Sequence, residues 1–278
     1  ADVAKADAHI FAPADAIRRS VPAVLDYYVS GSDREVRLDV LDGEGELVRT
    51  LFQGTRDEGT YRETWNLRYP GAVTFEGIVL EGGNPAIGPW SPPGRYEARL
   101  TVDGDVQVAA FNLKRDPRLT GVTDADLIVQ FNLALAIRDA ESKANGSVLL
   151  IRDVRTQVQA SVMQSNDQEL RELAEQFMGD ISELETELYQ VRNQSPKDKI
   201  AFPIRLNDRL TGLRNRLERG DAAPTAAYRR VYAELSAELA ETMQALEVLF
   251  TEDLSRLNTE LNSAGLPRVV IRDRLITE

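Results

Sequence analysis

The sequence predicts an α+β multidomain protein: an N-terminal immunoglobulin- or fibronectin-like antiparallel β-sandwich over residues 1–116, then an antiparallel four-helix bundle with a short extended tail over 117–278. Three observations predict it. Residues 1–122 hold 13 of the 18 glycines, 8 of the 12 prolines and both tryptophans. The same region alternates apolar and polar residues between turn signals, as half-buried strands do. Beyond Thr123 the apolar residues recur every three or four positions, as in helices with one buried face. The break falls at Lys114-Arg115-Asp116-Pro117-Arg118.

The strands follow in order. Val24 to Val29 is a short apolar and aromatic run closed by Ser30-Gly31-Ser32-Asp33. Val36, Leu38 and Val40 alternate with Arg37 and Asp39, and Asp42-Gly43-Glu44-Gly45 turns the chain into a return strand from Glu46 to Phe52. Tyr61 to Leu67, with Trp65 in the core, follows the Gly59 turn. Tyr96, Ala98, Leu100 and Val102 lead through Asp103-Gly104-Asp105 into Val106, Val108, Ala110 and Phe111 as a second hairpin. Six or seven short strands at this spacing fit a sandwich. Between Pro70 and Pro93 lies a long Gly- and Pro-rich loop, a length usually tied to function or disorder.

Four helical stripes come next. Thr123-Asp124-Ala125-Asp126 has the form of a capping box, and Leu127, Phe131, Leu135, Val154, Val158 and Val162 continue the first helix past a kink placed at Gly146. Asn166 and Glu169 open the second, with Leu170, Leu173, Phe177, Ile181, Leu184, Leu188 and Val191 on one face. Phe202, Leu206, Leu210, Leu213 and Leu217 mark the third, and Tyr228 to Leu261 the fourth, stopped by Gly265 and Pro267. An up-down bundle hides all four stripes within one chain and is preferred to an extended coiled-coil dimer. The tail Val269 to Leu275 is either a docked strand or a frayed end.

Composition excludes several chemistries. With no Cys, thiol catalysis, iron–sulfur clusters and disulfides are absent, and a lone His9 argues against a His-rich metal site or a Ser-His-Asp triad. A formal charge of −12 lacks the basic footprint of a nucleic-acid binder. No apolar run reaches the ~20 residues of a membrane span. His9 reads as a surface or strand-edge residue, and Asp39 to Glu46 as a hairpin turn, since its spacing departs from a calcium loop. The acids Glu183, Glu185, Glu187, Glu234, Glu238 and Glu241 read as solvated helix faces. Arg205, Arg209, Arg214, Arg216 and Arg219 read as a basic polar face engaged in ion pairs with neighbouring helices. No phosphate loop, Rossmann fingerprint or nucleophile elbow is present, so no catalytic residue, metal or cofactor is expected.

The candidate contact residues are aromatic: Tyr69, Phe75 and Trp90, set in or beside the long loop. They either dock a neighbouring domain or stack on a sugar.

Thr64-Trp65-Asn66-Leu67-Arg68-Tyr69-Pro70-Gly71-Ala72, the stretch from Pro93 to Gly104, Phe202-Pro203-Ile204-Arg205-Leu206-Asn207-Asp208-Arg209-Leu210 and Gly220-Asp221-Ala222-Ala223-Pro224-Thr225 occur here in that order. Together they resemble the C-terminal region of large bacterial sortilin-like or BNR-repeat β-propeller proteins of the glycosyl-hydrolase type. The resemblance runs from about Ala8 to Pro267. It implies a sandwich similar to the flagellar hook-cap type, then a helical region, both accessory to a propeller that this chain lacks. No catalytic residue carries over. The start at Ala1-Asp2-Val3 reads as a processed or excised piece, and the resemblance implies a periplasmic or extracellular bacterial protein.

The expected function is a non-catalytic structural or interaction module that docks a protein partner, an upstream propeller or another subunit, through the Trp90 loop with Phe75 and the exposed face of the fourth helix. The alternative is a carbohydrate-recognition module with Tyr69, Phe75 and Trp90 as its stacking platform. A third reading, a hydrolase, predicts turnover by the chain itself.

Overall fold

The structure, a computed structural model, describes residues 6–272 and is mixed α and β. Its contacts form two compact units that interleave in sequence. One runs to Pro70 and takes up again at Ile87–Asn132 and Gly220–Ala223; the other holds Gly71–Ala86, Leu133–Arg219 and the chain from Pro224. A single division at residue 116 is the simpler expectation. Instead, Gly71–Ala86 packs with helices, and the residues from Pro117 to Asn132 pack with strands.

Among the described residues the first unit contains ten strands: β1 (Ala8–Ile10), β2 (Ala16–Ile17), β3 (Ala23–Val29), β4 (Arg34–Leu41), β5 (Leu47–Arg56), β6 (Gly59–Trp65), β7 (Arg68–Pro70), β8 (Ile87–Trp90), β9 (Gly94–Val102) and β10 (Asp105–Lys114). They make a three-stranded sheet in the order β1-β3-β6, a five-stranded sheet in the order β2-β10-β9-β4-β5, and the pair β7-β8. The inward residues of the two larger sheets meet in one apolar cluster, with Leu25 and Tyr27 from β3 and Leu38, Val40 and Leu100 from β4 and β9. Trp65 is fully buried there between Tyr96 and Phe111 and donates its indole N–H to the Arg68 carbonyl at 3.0 Å.

Turn chemistry fixes the hairpins. Asp103 and Gly104 both take positive φ, 47° and 95°, matching the right-handed twist of β9 and β10. The Asp42 carboxylate accepts the Glu44 and Glu46 amides at 3.0 Å, so this acidic run closes a hairpin. His9 lies on edge strand β1, edge-on to Phe11 at 4.9 Å. Two readings change. The long loop from Pro70 contains a strand, β8, paired with β7. In β10 the alternation runs in the other phase: Phe111 is buried, while Val106 and Val108 face solvent.

The second unit holds most of helix α1 (Asp124–Val162), with α2 (Gln168–Leu188), α3 (Leu206–Leu217), α4 (Ala226–Val248) and α5 (Leu254–Ser263). A π-helical turn, Leu249–Asp253, joins the last two into one continuous element, the fourth expected helix. Within the first unit, Thr123 and Asp126 exchange amide and side-chain hydrogen bonds at 2.9 and 3.1 Å, a reciprocal cap for α1. The helix then runs unbroken through Gly146. Asp167 caps α2 by accepting the Glu169 and Leu170 amides.

The four stripes bury Ile137, Phe177, Leu210, Leu239 and Leu257 with their neighbours in a single cluster. The tail docks without a partner strand: Asn258 brackets the Val269 backbone with both amide atoms, at 2.8 and 3.0 Å, and Gln157 does the same for Val270. Asp273, Arg274 and Leu275 lie outside the described residues. Among the described residues no helix is long and apolar enough to cross a membrane.

The outer face of the five-stranded sheet hides one carboxylate. Asp39 is 1% exposed and accepts hydrogen bonds from Thr50 at 2.7 Å and from Arg37 and Arg99 at 2.9 Å. Burial acts to raise its pKa, but the bonds from Arg99, Thr50 and Arg37 outweigh it and the net shift is downward. A depressed carboxyl stabilises the fold above the ordinary carboxylate range, and that contribution disappears as pH falls through its lowered value. Asp39→Asn is therefore expected to cost about 2 kcal/mol near neutral pH. In urea unfolding the difference from the parent should shrink as pH is lowered through and below the ordinary carboxylate range; a difference independent of pH would refute the assignment.

Candidate functional site

The most elaborate polar construction lies in the second unit, where helices grip Gly71–Ala86, a segment of turns and irregular backbone. Three hydrophobic anchors enter the helical core: Phe75 is buried, and Ile78 and Leu80 pack against the same cluster. Phe75 meets the Tyr189 ring edge-on at 5.1 Å and lies beneath the Arg152 guanidinium at 4.7 Å. Beside the anchors, side chains supply what a neighbouring strand would. The Val73 amide donates to Ser142 Oγ at 3.1 Å, and Asn145 Nδ2 donates to the Val73 carbonyl at 2.7 Å. The Val79 amide donates to the Tyr189 hydroxyl at 3.2 Å, and Asn193 Nδ2 to the Val79 carbonyl at 3.2 Å.

The C-terminal end of the segment is held by α3. The Glu81 and Gly82 amides donate to the Asp208 carboxylate at 2.9 and 2.5 Å, while Asn215 Nδ2 donates to the Gly82 carbonyl at 2.5 Å. Only glycine fits at this approach. A Cβ on Gly82 would stand 2.5 Å from the Asp208 carbonyl oxygen, and Gly83 has φ +137°.

Beneath the grip sits a buried ionic cluster. Arg214 and Glu141 are both fully buried and face each other at 3.4 Å, and Arg214 also reaches Glu218 at 3.6 Å. Thr211 Oγ lies against Glu141 and the Asn207 carbonyl, and Asn207 Nδ2 donates to Asn145 Oδ1 at 2.9 Å. Loss of water raises the Glu141 pKa against the opposing pull of Arg214 and Thr211; burial likewise raises Asp208 against its two amide donors.

These residues were missed by the pattern of charges and were present in the pattern of positions. Glu141 falls on the apolar stripe of α1, between Ile137 and Ala144. Asn207, Thr211, Arg214 and Glu218 recur at gaps of four, three and four beside the leucine stripe of α3, forming a second, polar buried face. Arg214 is thus interior, whereas Arg209 is an exposed arginine paired with Glu238 at 2.7 Å. Glu185, expected on a solvated face, is buried between Arg152 at 2.7 Å and Arg155 at 2.5 Å. Asn145 and Asn193, both in glycosylation sequons, are buried as well.

The expected aromatic trio is distributed between the units. Phe75 is core of the helical unit. Tyr69 and Trp90 belong to the first unit, both half-buried. Tyr69 packs on Phe131 at 4.7 Å, with burial holding its phenol above the usual range. Arg68 lies over the Trp90 ring at 3.8 Å and Arg19 at 5.1 Å. Close by, the buried Arg18 bonds the Ser91 carbonyl at 3.0 Å, Gln130 at 3.2 Å and the Asp221 carboxylate, to which Arg19 also binds at 2.5 Å.

Two of the open clefts in the helical unit differ in character. One, of about 450 Å³, is rimmed by Arg209, Arg216 and Arg219 against Glu81 and Glu234, a mixture that selects no single sign of ligand charge. The other, of about 580 Å³, is lined by Leu150, Met243, Leu246, Phe250 and Ile271. Among the described residues, no three His, Cys, Asp or Glu side chains are grouped to hold a metal ion.

No family model and no curated protein matches the chain. A solved structure named "pT26-6p" is similar over 87% of this chain at 15% identity, with a TM-score of 0.22. This chain spans about half of that one, 49%.

Two substitutions test the peptide grip. Phe75→Ala should destabilise the chain by about 3 kcal/mol, because a buried anchor is lost. Trp90→Ala, on a half-buried ring, should cost less. Gly82→Ala should cost about 2 kcal/mol by forcing the segment away from α3. Thermal melts of the three variants check the ranking; a Phe75→Ala variant as stable as its parent would refute the anchoring role.

Proposed function

We propose that this chain is a non-catalytic structural and interaction module: an immunoglobulin-like β-sandwich joined to an antiparallel four-helix bundle, serving to dock a partner domain or subunit. One observation carries the reading. The buried ionisable and amide side chains, Glu141, Asp208, Asn145, Asn207 and Arg214, are engaged with one another and with the backbone of Gly71–Ala86. Such groups raise catalytic hypotheses when they converge on an open cleft. Here they hold peptide backbone in place, which is scaffold work. The two sheets sharing one core and the four apolar stripes sharing another support the finer architecture.

The motif order around Trp65, Tyr96, Asn207 and Asp221 supports placing the chain with the accessory ends of sortilin-like or BNR-repeat propeller proteins, and hence an exported, periplasmic or extracellular bacterial setting. A propeller or a neighbouring subunit is then the natural partner.

The carbohydrate-platform reading has less support, because Phe75 is buried and Arg68 lies over Trp90. The two classes separate by experiment. The chain, assayed on chromogenic glycosides and fluorogenic peptides, should show no turnover above buffer. Turnover that disappears in a folded Glu141→Gln or Asp208→Asn variant would overturn the non-catalytic reading. On a glycan array the chain should retain no sugar; retention lost on Trp90→Ala would move the function to carbohydrate recognition.

A further inference from the structure

Strand β10 is paired along its length on one side only. The two-residue turn Asp103-Gly104 makes Val102 and Asp105 a mutually hydrogen-bonded pair, so alternate residues from Asp105 onward direct their N–H and C=O groups at β9. Val106, Val108, Ala110 and Asn112 direct theirs the opposite way. Two contacts establish that phase: the Asn112 amide donates to Asp15 Oδ1 at 3.0 Å, and the Lys114 carbonyl accepts the Arg18 amide at 2.9 Å. From Asn112 onward, then, Asp15 and β2 close the edge. At Val106, Val108 and Ala110, no hydrogen bond from the described residues reaches the outward backbone groups.

Two other edges of these sheets are guarded. Strand β5 meets β4 with register irregularities at Leu38/Asp39 and Val40/Leu41, which interrupt a flat template. The outer edge of β1 is closed by one side chain: Gln107 accepts the Ile10 amide at 3.2 Å and donates to the Ala8 carbonyl at 2.8 Å. Between Asp105 and Phe111, β10 has no lysine, no proline and no bulge. Its outward side chains are apolar as well, with Val106 57% and Val108 50% exposed and Ala110 beside them.

We infer that this edge pairs with the same edge of a second copy of the chain, β10 against β10 in antiparallel fashion about a two-fold axis at Val108. The segment is complementary to itself. Val108 faces Val108 of the second copy, and Val106 faces its Ala110. The nearest charge, Asp105, falls opposite Phe111, so no like charges oppose each other. The three residues on each side exchange about six backbone hydrogen bonds, and their side chains line up on one face in cross-strand pairs. The symmetry makes the interface closed, giving dimers rather than fibres. A five-residue strand pair is smaller than a standard stable interface, so association belongs in the micromolar range. Each copy carries a formal charge of −12, so added salt strengthens the pairing by screening.

This goes beyond the docking reading above: self-pairing needs no foreign partner, and a monomeric chain would leave that reading untouched. The test is sedimentation equilibrium of the full chain over about two decades of concentration. The parent should reversibly dimerise, more tightly at high salt. Val108→Lys and Val108→Glu, at a solvent-facing position, should keep the parent's melting behaviour and each weaken dimerisation roughly ten-fold or more. An equimolar mixture of the two should recover it, because lysine then faces glutamate across the axis. Leu47→Lys, an exposed site on β5, should leave the dimer intact. A parent that stays monomeric throughout, or a Val108→Lys variant that dimerises like the parent, overturns the inference. A mixture that recovers nothing overturns the axis at Val108.

Discussion

The helical unit is organised by the requirement that Arg214 be satisfied without water. A guanidinium carries five donors and does not lose its charge, so burying one commits its surroundings to acceptors at fixed positions. Glu141, on α1, is that commitment. It sets the register of α3 against α1, and the rest follows: Asn207 reaches Asn145, Thr211 settles on Glu141, and the adjacent Asp208 is presented to the Glu81 and Gly82 amides. Removing one member of such a pair typically costs about 3–5 kcal/mol, far more than an exposed pair such as Arg209–Glu238 contributes. A leucine-only interface would pack the same helices in several neighbouring registers. The ion pair distinguishes among them.

Repeating patterns were legible in the sequence; exceptions to them were not. Period-two alternation located β4 and β9, an apolar run and a turn signal located β3 and β6, and the three-four spacing located all four helical stripes, because each pattern is enforced by a continuous core. The capping box at Thr123 was readable since its chemistry is local. Strands β1, β2, β7 and β8 were missed because two to four residues hold no period. In β10 the alternation was seen and its meaning reversed: valines at 106 and 108 look like core, but the register set by the Asp103-Gly104 turn places Phe111 inside.

The grip on Gly71–Ala86 was invisible for a different reason. Its recognition is of backbone, by side chains 69 to 133 residues away in sequence, and no local window contains both halves. Phe75 stood out in the sequence as an aromatic on the long loop. Its destination was not a surface but a core, since an aromatic ring within a Gly- and Pro-rich run reads the same whether it anchors the run or waits for a ligand.

With one histidine and no cysteine, the polar interior rests on arginines, carboxylates and amides. Arginine ionises far above neutrality, and Asp39 is driven further below it. Glu141 and Asp208 are the exceptions, raised by burial and restrained by Arg214 and by two backbone amides. Cysteine redox chemistry has no purchase on this framework, because there is no thiol to oxidise.

The placement of Gly71–Ala86 also bears on the order in which the protein can be made. During synthesis the segment emerges well before α1, α2 and α3, so Phe75, Ile78 and Leu80 wait in solvent until more than a hundred further residues have left the ribosome. The helices face the reciprocal problem. A gene divided at codon 116 would yield a C-terminal half whose Asp208, Asn145 and Asn193 point at a peptide encoded on the other fragment.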